Sequence, residues 1–222
     1  HLARIEDGMS RFPALSRLRA SVEKFFYYSA LNNSALTLTV SEWFKNELIK
    51  EGFDAKKMIP FPLTFDCSIQ PDSSNAGEIR DRLGLRGRKI ILYFGDMTRL
   101  RKMNFLIRVM RKVVDEMPEA HLLMVGAGDT PTDLEELKKE TQLLGIEDEV
   151  TFTGFVPRSD IPAYIAAADI GVSPIRPIPL FYISSPTKLV ETLGMAKPIV
   201  ANDIPEQKFL IEESGGGIFV PY

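Results

Sequence analysis

Residues 90–125 read IILYFGDMTRLRKMNFLIRVMRKVVDEMPEAHLLMV, in which two apolar runs flank an amphipathic segment. The runs at 90–94 and 122–125 are short and continuously apolar, which is typical of strands buried on both faces. Helical spacing relates the apolar residues between them, which are Leu106, Val109, Met110 and Val113. The stretch therefore predicts a strand, a helix and a second strand that runs parallel to the first.

The same alternation continues towards the end of the chain. Further short apolar runs are VTF at 150–152, IGVS at 170–173, PIVA at 198–201 and GIFV at 217–220. A second amphipathic segment carries Leu134, Leu137 and Leu144. Thr132 and Glu135, at its start, have the spacing of a capping box. Strict alternation predicts an α/β fold class, with a doubly wound parallel sheet of about six strands and helices on both faces.

A shorter strand and helix precede this region. ALTLTV at 35–40 alternates like a strand, and Ser41 is a good N-cap for a helix that extends to about Lys50. From Met58 to Asn75, three prolines (60, 62 and 71) and the polar run PDSSN are typical of an interdomain linker. We expect residues 1–66 to hold the remnant of a second α/β domain with its linker, and residues 67–222 to form the main domain.

Residues 10–31 predict a helix in which basic and aromatic side chains are mixed. These side chains are Arg11, Arg17, Arg19, Lys24, Phe25, Phe26, Tyr27 and Tyr28. We favour a helix that packs on its own domain. The same mixture also suits an anionic membrane surface, so peripheral membrane association stays open as an alternative.

Composition excludes several function classes. The net charge of the 222 residues is -3, which gives no general reason to bind nucleic acid. Cys67 is the one cysteine and His121 the one internal histidine, so an internal disulfide and a thiolate or histidine metal site are excluded. No apolar run approaches the roughly 20 residues of a membrane span, and no signal peptide is recognised. We expect a reducing, cytoplasmic setting and a structural role for His121.

The segment SSPTKLVETLGMAKP, residues 184–198, predicts a short helix. We expect Ser185 to be the N-cap, Pro186 to take the first helical position, and Gly194 with Pro198 to end the helix. The backbone amides at the N-terminus, together with the helix dipole, would then favour an anion such as phosphate.

One face of this helix carries side chains that suit a nucleotide. Glu191 lies three and four residues beyond Lys188 and Thr187, so the three residues share a face. A carboxylate accepts two hydrogen bonds readily from a vicinal diol such as ribose. The alternative is an ordinary capped helix with a solvated Glu191.

Ligands of open α/β sheets bind beyond the carboxyl ends of the strands, so the residues after each strand are candidates. After the first strand, Gly95 permits close approach of the backbone to a ligand. Arg99, Arg101 and Lys102 then place three cations within four residues. This run predicts a clamp for a diphosphate, with a solvated charge run as the alternative.

The later strands are followed by weaker signals. Gly126 opens GAGD, in which the third glycine of a dinucleotide motif is missing and Asp129 would repel phosphate. After the third strand, the backbone of Val156 is placed to contact a base, and Arg158 to reach a base or phosphate. A simple turn would explain these residues equally well.

In this order, the segments resemble the donor domain of family 4 retaining glycosyltransferases of the GT-B fold. ILYFGDMTRLRKMNFLIRVM at 91–110 resembles the glycine loop and lysine of the family, and VTFTGFVPRSDIPAYIAAADIGVSP at 150–174 resembles its Gly-Phe-Val turn and Ala-Asp strand. SPTKLVETLGMAKPIVAND at 185–203 resembles its ribose-binding helix. ALTLTVSEWFKNELIKEGF at 35–53 resembles the end of its acceptor-side domain. The fold implied is the Rossmann-like half of GT-B.

The resemblance implies roles for particular residues. Lys102 would neutralise the diphosphate of the donor, with Arg99 or Arg101 beside it, and we take Lys102 and Arg99 as catalytic candidates. Glu191 would hold the ribose. Backbone amides from Ser184 to Thr187 would meet phosphate or sugar, and the segment from Val156 to Arg158 would meet the base.

Two positions depart from the family pattern. Asp96 follows Gly95 where the family often has an arginine or small residue, and its charge would oppose a diphosphate unless it turns away. The first glutamate of the E-x7-E motif falls at Ile183. These departures leave the identity of the donor sugar more open than nucleotide binding.

The implied reaction is transfer of a sugar from a nucleoside diphosphate sugar to a hydroxyl acceptor, with retention and without metal or cofactor. The acceptor would be a glycan, a lipid-linked molecule or a small molecule. The alternatives are a sugar-nucleotide epimerase of related architecture and a catalytically inactive nucleotide-binding or scaffold module. We also expect the chain to be a fragment of a longer enzyme, truncated at its C-terminus and inactive alone.

Overall fold

The computed structural model describes residues 13–69 and 73–222, in which helices and strands alternate except that two helices follow one another between residues 179 and 194. The helices are α1 (Pro13–Asn33), α2 (Glu42–Lys50), α3 (Ser73–Arg82), α4 (Asn104–Glu116), α5 (Pro131–Leu144), α6 (Ile161–Ala167), α7 (Pro179–Tyr182), α8 (Thr187–Gly194) and α9 (Pro205–Ser214). The strands are β1 (Thr37–Thr39), β2 (Met58–Pro60), β3 (Lys89–Phe94), β4 (Ala120–Val125), β5 (Val150–Gly154), β6 (Ile170–Ser173), β7 (Ile199–Asn202) and β8 (Gly217–Val220).

Two compact units divide this chain. The first unit contains the described residues up to Leu63 together with 177–185 and 204–206. The second unit contains 64–176, 186–203 and 207–222. The domain boundary expected after residue 66 stays a prediction, since the two units interleave along the sequence.

The second unit is built on a parallel sheet of six strands in the order β5-β4-β3-β6-β7-β8. From β3 the chain moves outward through β4 to β5, and then returns to the other side of β3 to form β6, β7 and β8. The order of the strands therefore reverses between β3 and β6, which is where ligands of doubly wound sheets bind. The predicted fold class is confirmed.

Alternate residues of the central strands pack on opposite faces of the sheet, as their apolar runs predict. On one face, Ile90, Leu92 and Phe94 of β3 pack with buried residues of α3 and α6. On the other, Tyr93 of β3 and Leu122 of β4 pack with α4 and α5. These two cores hold the carboxyl ends of β3 and β4 in a fixed position.

His121 lies inside this core rather than at the carboxyl edge. It is buried in β4, and its Nε2 hydrogen-bonds with the hydroxyl of Thr151 at 2.8 Å. Burial, together with the charge of Arg88, lowers the pKa of His121 to about 4. The imidazole is therefore neutral near pH 7, which agrees with the structural role expected for it.

The capping box of α5 was predicted at the wrong residues. Thr130 precedes the helix, and the Asp133 carboxylate accepts hydrogen bonds from the Thr130 amide at 2.9 Å and the Thr130 hydroxyl at 3.0 Å. Pro131 is the first residue of the helix, where a missing N–H has no cost, and the N-cap Thr130 therefore lies two positions before the predicted Thr132.

The first unit pairs β1 with β2 in a parallel ladder. Leu48, Phe53 and Met58 form its buried core, and Tyr28 and Leu31 of α1 pack against them. Ser41 is the N-cap of α2, as predicted. The strand β2 was missed because prolines 60 and 62 gave residues 58–75 the composition of a linker; Pro71 lies outside the described residues.

One face of the β1–β2 ladder is apolar and exposed. Leu38 and Ile59 are partners in the register and are 57% and 49% exposed. Leu36, Val40, Phe61 and Leu63 are also exposed, and each lies an even number of residues from Leu38 or Ile59. We call these six side chains the open face of the first unit.

Helix α1 covers most of the range predicted for the N-terminal helix; residues 10–12 lie outside the described part of the chain. Phe25 and Phe26 are exposed, while Tyr28 packs edge-on against Phe53 at 5.0 Å between ring centroids. No helix within 13–69 or 73–222 is both long and apolar enough to cross a bilayer. Membrane association of α1 stays a prediction.

Ala196 has a left-handed backbone conformation just after α8, with φ at +54°. A Cβ in this conformation costs about 1–2 kcal/mol, whereas glycine adopts it freely. We expect Ala196→Gly to raise the free energy of unfolding by about 1 kcal/mol, measured by urea denaturation. The control is Ala76→Gly inside α3, which should lower it by about 1 kcal/mol. Equal losses in both variants would contradict this prediction.

Candidate functional site

Two glycines bring the loops after β3 and β4 into direct contact. Gly95 has φ at +120° and Gly126 has φ at +133°, conformations that disfavour any side chain. A Cβ placed on Gly126 would lie 2.1 Å from the carbonyl oxygen of Gly95. Both residues must therefore be glycine, and their backbones meet at the switch point of the sheet.

Lys188 of α8 extends over the backbone of Gly95. Its Cε lies 2.5 Å and its Nζ 2.8 Å from the position that a Cβ on Gly95 would take. The ammonium group is also 5.5 Å from the centroid of the Tyr93 ring. Burial lowers the pKa of Lys188 to about 8, and the charge of Arg101 acts in the same direction, while Asp96 and Glu191 oppose the shift.

The carboxylate of Asp96 is bound within its own loop. It accepts hydrogen bonds from the Thr98 amide at 2.8 Å and the Thr98 hydroxyl at 3.1 Å, and it forms an ion pair with Arg101 at 3.4 Å. The Tyr93 hydroxyl donates to the Asp96 carbonyl at 2.6 Å. These partners offset the negative charge of Asp96. From the sequence, we expected that charge to oppose a diphosphate.

The predicted run of three cations does not act as one group. Arg101 lies beside Asp96, whereas Arg99 forms an ion pair with Glu136 of α5 and lies 3.9 Å from Asp133. Lys102 has φ at +55° and lines, with Arg99, a cavity of about 380 Å³ between α4 and α5. Glu191 does not line that cavity, and Lys102 does not line the cavity that adjoins Glu191.

Glu191 lies one turn beyond Lys188 on the same face of α8. Its Oε1 accepts a hydrogen bond from Nη2 of Arg158 at 3.3 Å, and the two side chains are 22% and 90% exposed. Burial raises the pKa of Glu191, while Arg158 and Lys188 oppose the rise. The structure thus brings together Arg158, Lys188 and Glu191, as the sequence analysis expected of residues that contact one ligand.

A cavity of about 230 Å³ adjoins Glu191 and Arg158. Its remaining lining is Thr64, Phe65, Asp66, Ile69, Ile161, Pro162, Ile165 and Met195. The walls are mostly apolar, with charged groups at Asp66, Arg158 and Glu191. Such a cavity suits a flat organic group that carries a few polar atoms.

Phe65 closes one side of this cavity, and sequence reasoning missed it. A Cβ on Gly194, the last residue of α8, would lie 2.3 to 2.4 Å from atoms of the Phe65 ring. A side chain at position 194 would therefore clash with the Phe65 ring. Gly194 also ends the helix, as predicted. The linker composition around Phe65 gave no signal for such a contact.

The start of α8 differs from the prediction. The helix begins at Thr187, and the buried Pro186 takes the flanking position without a side-chain cap. The Ser185 hydroxyl accepts instead from the amide of Leu63 at 3.4 Å, and Ser185 belongs to the first unit. Because a proline in front of a helix leaves no hydroxyl to cap it, the first amides of the helix are open to water or to a ligand.

Other predicted residues have structural contacts. The Ser184 hydroxyl donates to the Phe181 carbonyl at 2.7 Å, and Ser184 and Ile183 belong to the first unit. Val156 is partly buried against the core under α6. Their expected contacts with phosphate, sugar and base stay predictions.

Comparison with known proteins identifies the family. The family model described as Glycosyl transferases group 1 matches residues 88–222, which is more than half of the chain. The chain belongs to the group 1 glycosyltransferase family. The resemblance to family 4 and the GT-B fold is thereby confirmed.

Individual relatives agree with this assignment. The chain is 31% identical over 144 residues to the alpha-D-kanosaminyltransferase of Streptomyces kanamyceticus, a match that covers 65% of this chain and 35% of the relative. It is 28% identical over 167 residues to the alpha-monoglucosyldiacylglycerol synthase of Streptococcus pneumoniae, covering 71% of this chain and 35% of the relative. The chain thus spans about a third of these curated relatives.

Solved structures share the fold. The crystal structure of Anabaena Alr3699/HepE in complex with UDP and glucose superposes with a TM-score of 0.76 at 22% identity, covering 89% of this chain and 52% of that chain. A sucrose-phosphate synthase from Thermosynechococcus elongatus superposes with a TM-score of 0.71 at 22% identity, covering 100% of this chain and 53% of that one. At this level of identity, the likeness concerns the fold.

Proposed function

We propose that this chain is the donor-binding part of a glycosyltransferase that takes a sugar from a nucleoside diphosphate sugar and transfers it to a hydroxyl acceptor. The observation that carries the proposal is the position of Glu191. Its half-buried carboxylate lies between Arg158 and Lys188, of which Lys188 is on α8 with Glu191. In the second unit the order of the strands reverses between β3 and β6. The bound UDP and glucose in the Anabaena structure support a nucleotide-sugar ligand for this fold.

The proposed contacts follow from the groups in place. Glu191 accepts hydrogen bonds from the ribose hydroxyls, and Arg158 and the backbone of Val156 contact the base. The diphosphate lies beside the loop that begins at Gly95, next to the backbone of Gly126. Thr187 begins α8, whose N-terminal amides favour phosphate.

The proposed chemistry is stabilisation of the departing diphosphate by fixed cations and amides. Such preorganised groups lower the barrier because they need no rearrangement as charge develops. We assign this task to Lys102 and Arg101, with Arg99 free to join only if it leaves Glu136. Retention of configuration and independence from metal are part of the proposal, and the family match favours transfer over the epimerase alternative.

Titration calorimetry tests the proposal through the ribose. The chain is titrated with UDP, GDP and ADP, and the best ligand is compared with its 2′-deoxy form. A hydrogen bond to a charged group contributes about 1.5–3 kcal/mol, so we expect a preference for ribose of tenfold or more. Glu191→Gln should remove most of that preference.

The matched control is Glu212→Gln in α9, where the carboxylate pairs only loosely with Lys208 at 3.8 Å. It should bind every ligand as the wild-type chain does. An unchanged ribose preference in Glu191→Gln would refute the assignment of Glu191, and absence of binding by all nucleotides would refute the proposed function.

A further inference from the structure

Lys188 is a partly buried cation without an anion of its own. Among the ion pairs formed within 13–69 and 73–222, none closer than 4 Å involves its ammonium group. Burial of a charge is costly unless the charge is paired, and this cost is what lowers the pKa of Lys188 to about 8. The side chain nevertheless extends into the space above Gly95 instead of into solvent.

The two acidic groups near Lys188 are committed to other partners. Asp96 is bound by Thr98 and by Arg101, and Glu191 is bound by Arg158. Arg101 adds positive charge to the same region, and the remaining neighbour is the ring of Tyr93. Lys188 itself occupies the space above the Gly95 backbone, and the region has an excess of positive charge because both nearby carboxylates are paired with arginines.

We infer that Lys188 binds a phosphate of the donor nucleotide beside Gly95. The inference rests on the proposed function and adds to it a second phosphate-binding lysine, which lies on the ribose-binding helix. Lys102 belongs to a different cavity, so the contributions of the two lysines are separable.

The direction of the pH effect follows from the charges. An anion next to Lys188 stabilises its protonated form, so binding raises the pKa of this lysine above its value of about 8 in the free chain. Nucleotide affinity is then greatest below pH 8 and falls as the pH rises, by about tenfold at pH 9. Burial raises the pKa of Tyr93, which therefore stays neutral over this range. A terminal phosphate titrates near pH 6, so measurements above pH 7 avoid it.

The test is titration of the chain with UDP and GDP between pH 7 and pH 9, in buffers with different ionisation enthalpies. For the wild-type chain we expect about a tenfold loss of affinity over this range and net proton uptake at pH 8. The corresponding nucleosides, which have no phosphate, should show neither effect.

Lys188→Met keeps the length of the side chain and removes its charge. This variant should bind UDP at least tenfold more weakly at pH 7, with an affinity that no longer depends on pH. Lys102→Met is the comparison: it should weaken binding but keep the pH dependence. Urea denaturation checks that both variants fold, and removal of an unpaired buried charge should not destabilise the chain.

The outcomes separate the inference from the proposed function. Wild-type binding that is strong but constant from pH 7 to pH 9 would overturn the inference and leave the proposed function intact. Loss of the pH dependence in Lys102→Met but not in Lys188→Met would also overturn it. Failure of every nucleotide to bind at pH 7 would overturn both.

Discussion

Gly126→Ala is expected to destabilise the chain by about 4 kcal/mol, or to prevent folding of the second unit. The new Cβ would lie 2.1 Å from the Gly95 carbonyl oxygen and 3.2 Å from the Gly95 amide nitrogen. Both atoms belong to backbone that the sheet holds in place, so neither can turn away as a side chain would. A cost of about 1–3 kcal/mol for overpacking adds to about 1–2 kcal/mol for a side chain at positive φ.

Gly145→Ala is the matched control for this variant. Gly145 also has positive φ, at +62°, but no atom lies within 4 Å of the position of its Cβ. Gly145→Ala should lower the free energy of unfolding by about 1 kcal/mol, which is the conformational cost of a side chain at positive φ. Urea denaturation followed by far-ultraviolet circular dichroism measures both variants. Similar midpoints for the two would show that the contact between the loops after β3 and β4 is not required.

Asp169→Ala is expected to lower the free energy of unfolding by about 2 kcal/mol, because two hydrogen bonds to a charged and partly exposed carboxylate are lost. The Asp169 carboxylate accepts from the amide of Ile90 at 2.7 Å and from Arg80 at 2.8 Å, and so fixes the start of β3 next to α3. Without it, the Arg80 guanidinium would keep only its bonds to the carbonyls of Ala167 and Arg88. Asp169→Asn should lose less, because its amide oxygen can still accept from Ile90.

The effect of pH provides a second measurement at Asp169. Burial alone would raise the pKa of this carboxyl group, but the Ile90 amide and Arg80 outweigh burial and hold it below its usual value. Its contribution to stability is therefore complete above the unfolded pKa of about 4 and is lost as the pH falls through the folded pKa. The difference between wild type and Asp169→Asn should shrink in acid. The control Asp148→Asn, at an exposed position, should stay within about 0.5 kcal/mol of wild type at every pH.

The sheet of the second unit could be predicted because each of its strands is a short apolar run, and all of them except the edge strand β8 contain buried residues. The runs IGVS and GIFV match β6 and β8 residue for residue, and the other predicted strands of this sheet differ by one or two residues at their ends. In contrast, β2 contains Pro60 and only one buried residue, Met58, so its pairing with β1 left no periodic signal.

The candidate site could be predicted only in part. Glu191 and Arg158 were found because a resemblance of local sequence places them. Arg99 pairs with a residue of α5, whereas Arg101 pairs within the glycine loop. Spacing along the chain cannot predict which of these two elements lies near each arginine. Phe65 and Gly194 are far apart in the sequence. The Phe65 ring occupies the space that a Cβ on Gly194 would take, and such a contact cannot be recognised from composition.

The open face of the first unit has a consequence for handling the protein. Parallel sheets are normally covered on both sides. The exposed apolar surface of Leu38, Ile59 and Phe61 therefore favours association with the same surface of another copy of the chain. The strand edges beside it offer unpaired backbone groups to the same neighbour. Concentrated stocks should consequently cloud or form oligomers sooner than dilute ones, and binding assays belong at low micromolar protein with fresh, filtered samples.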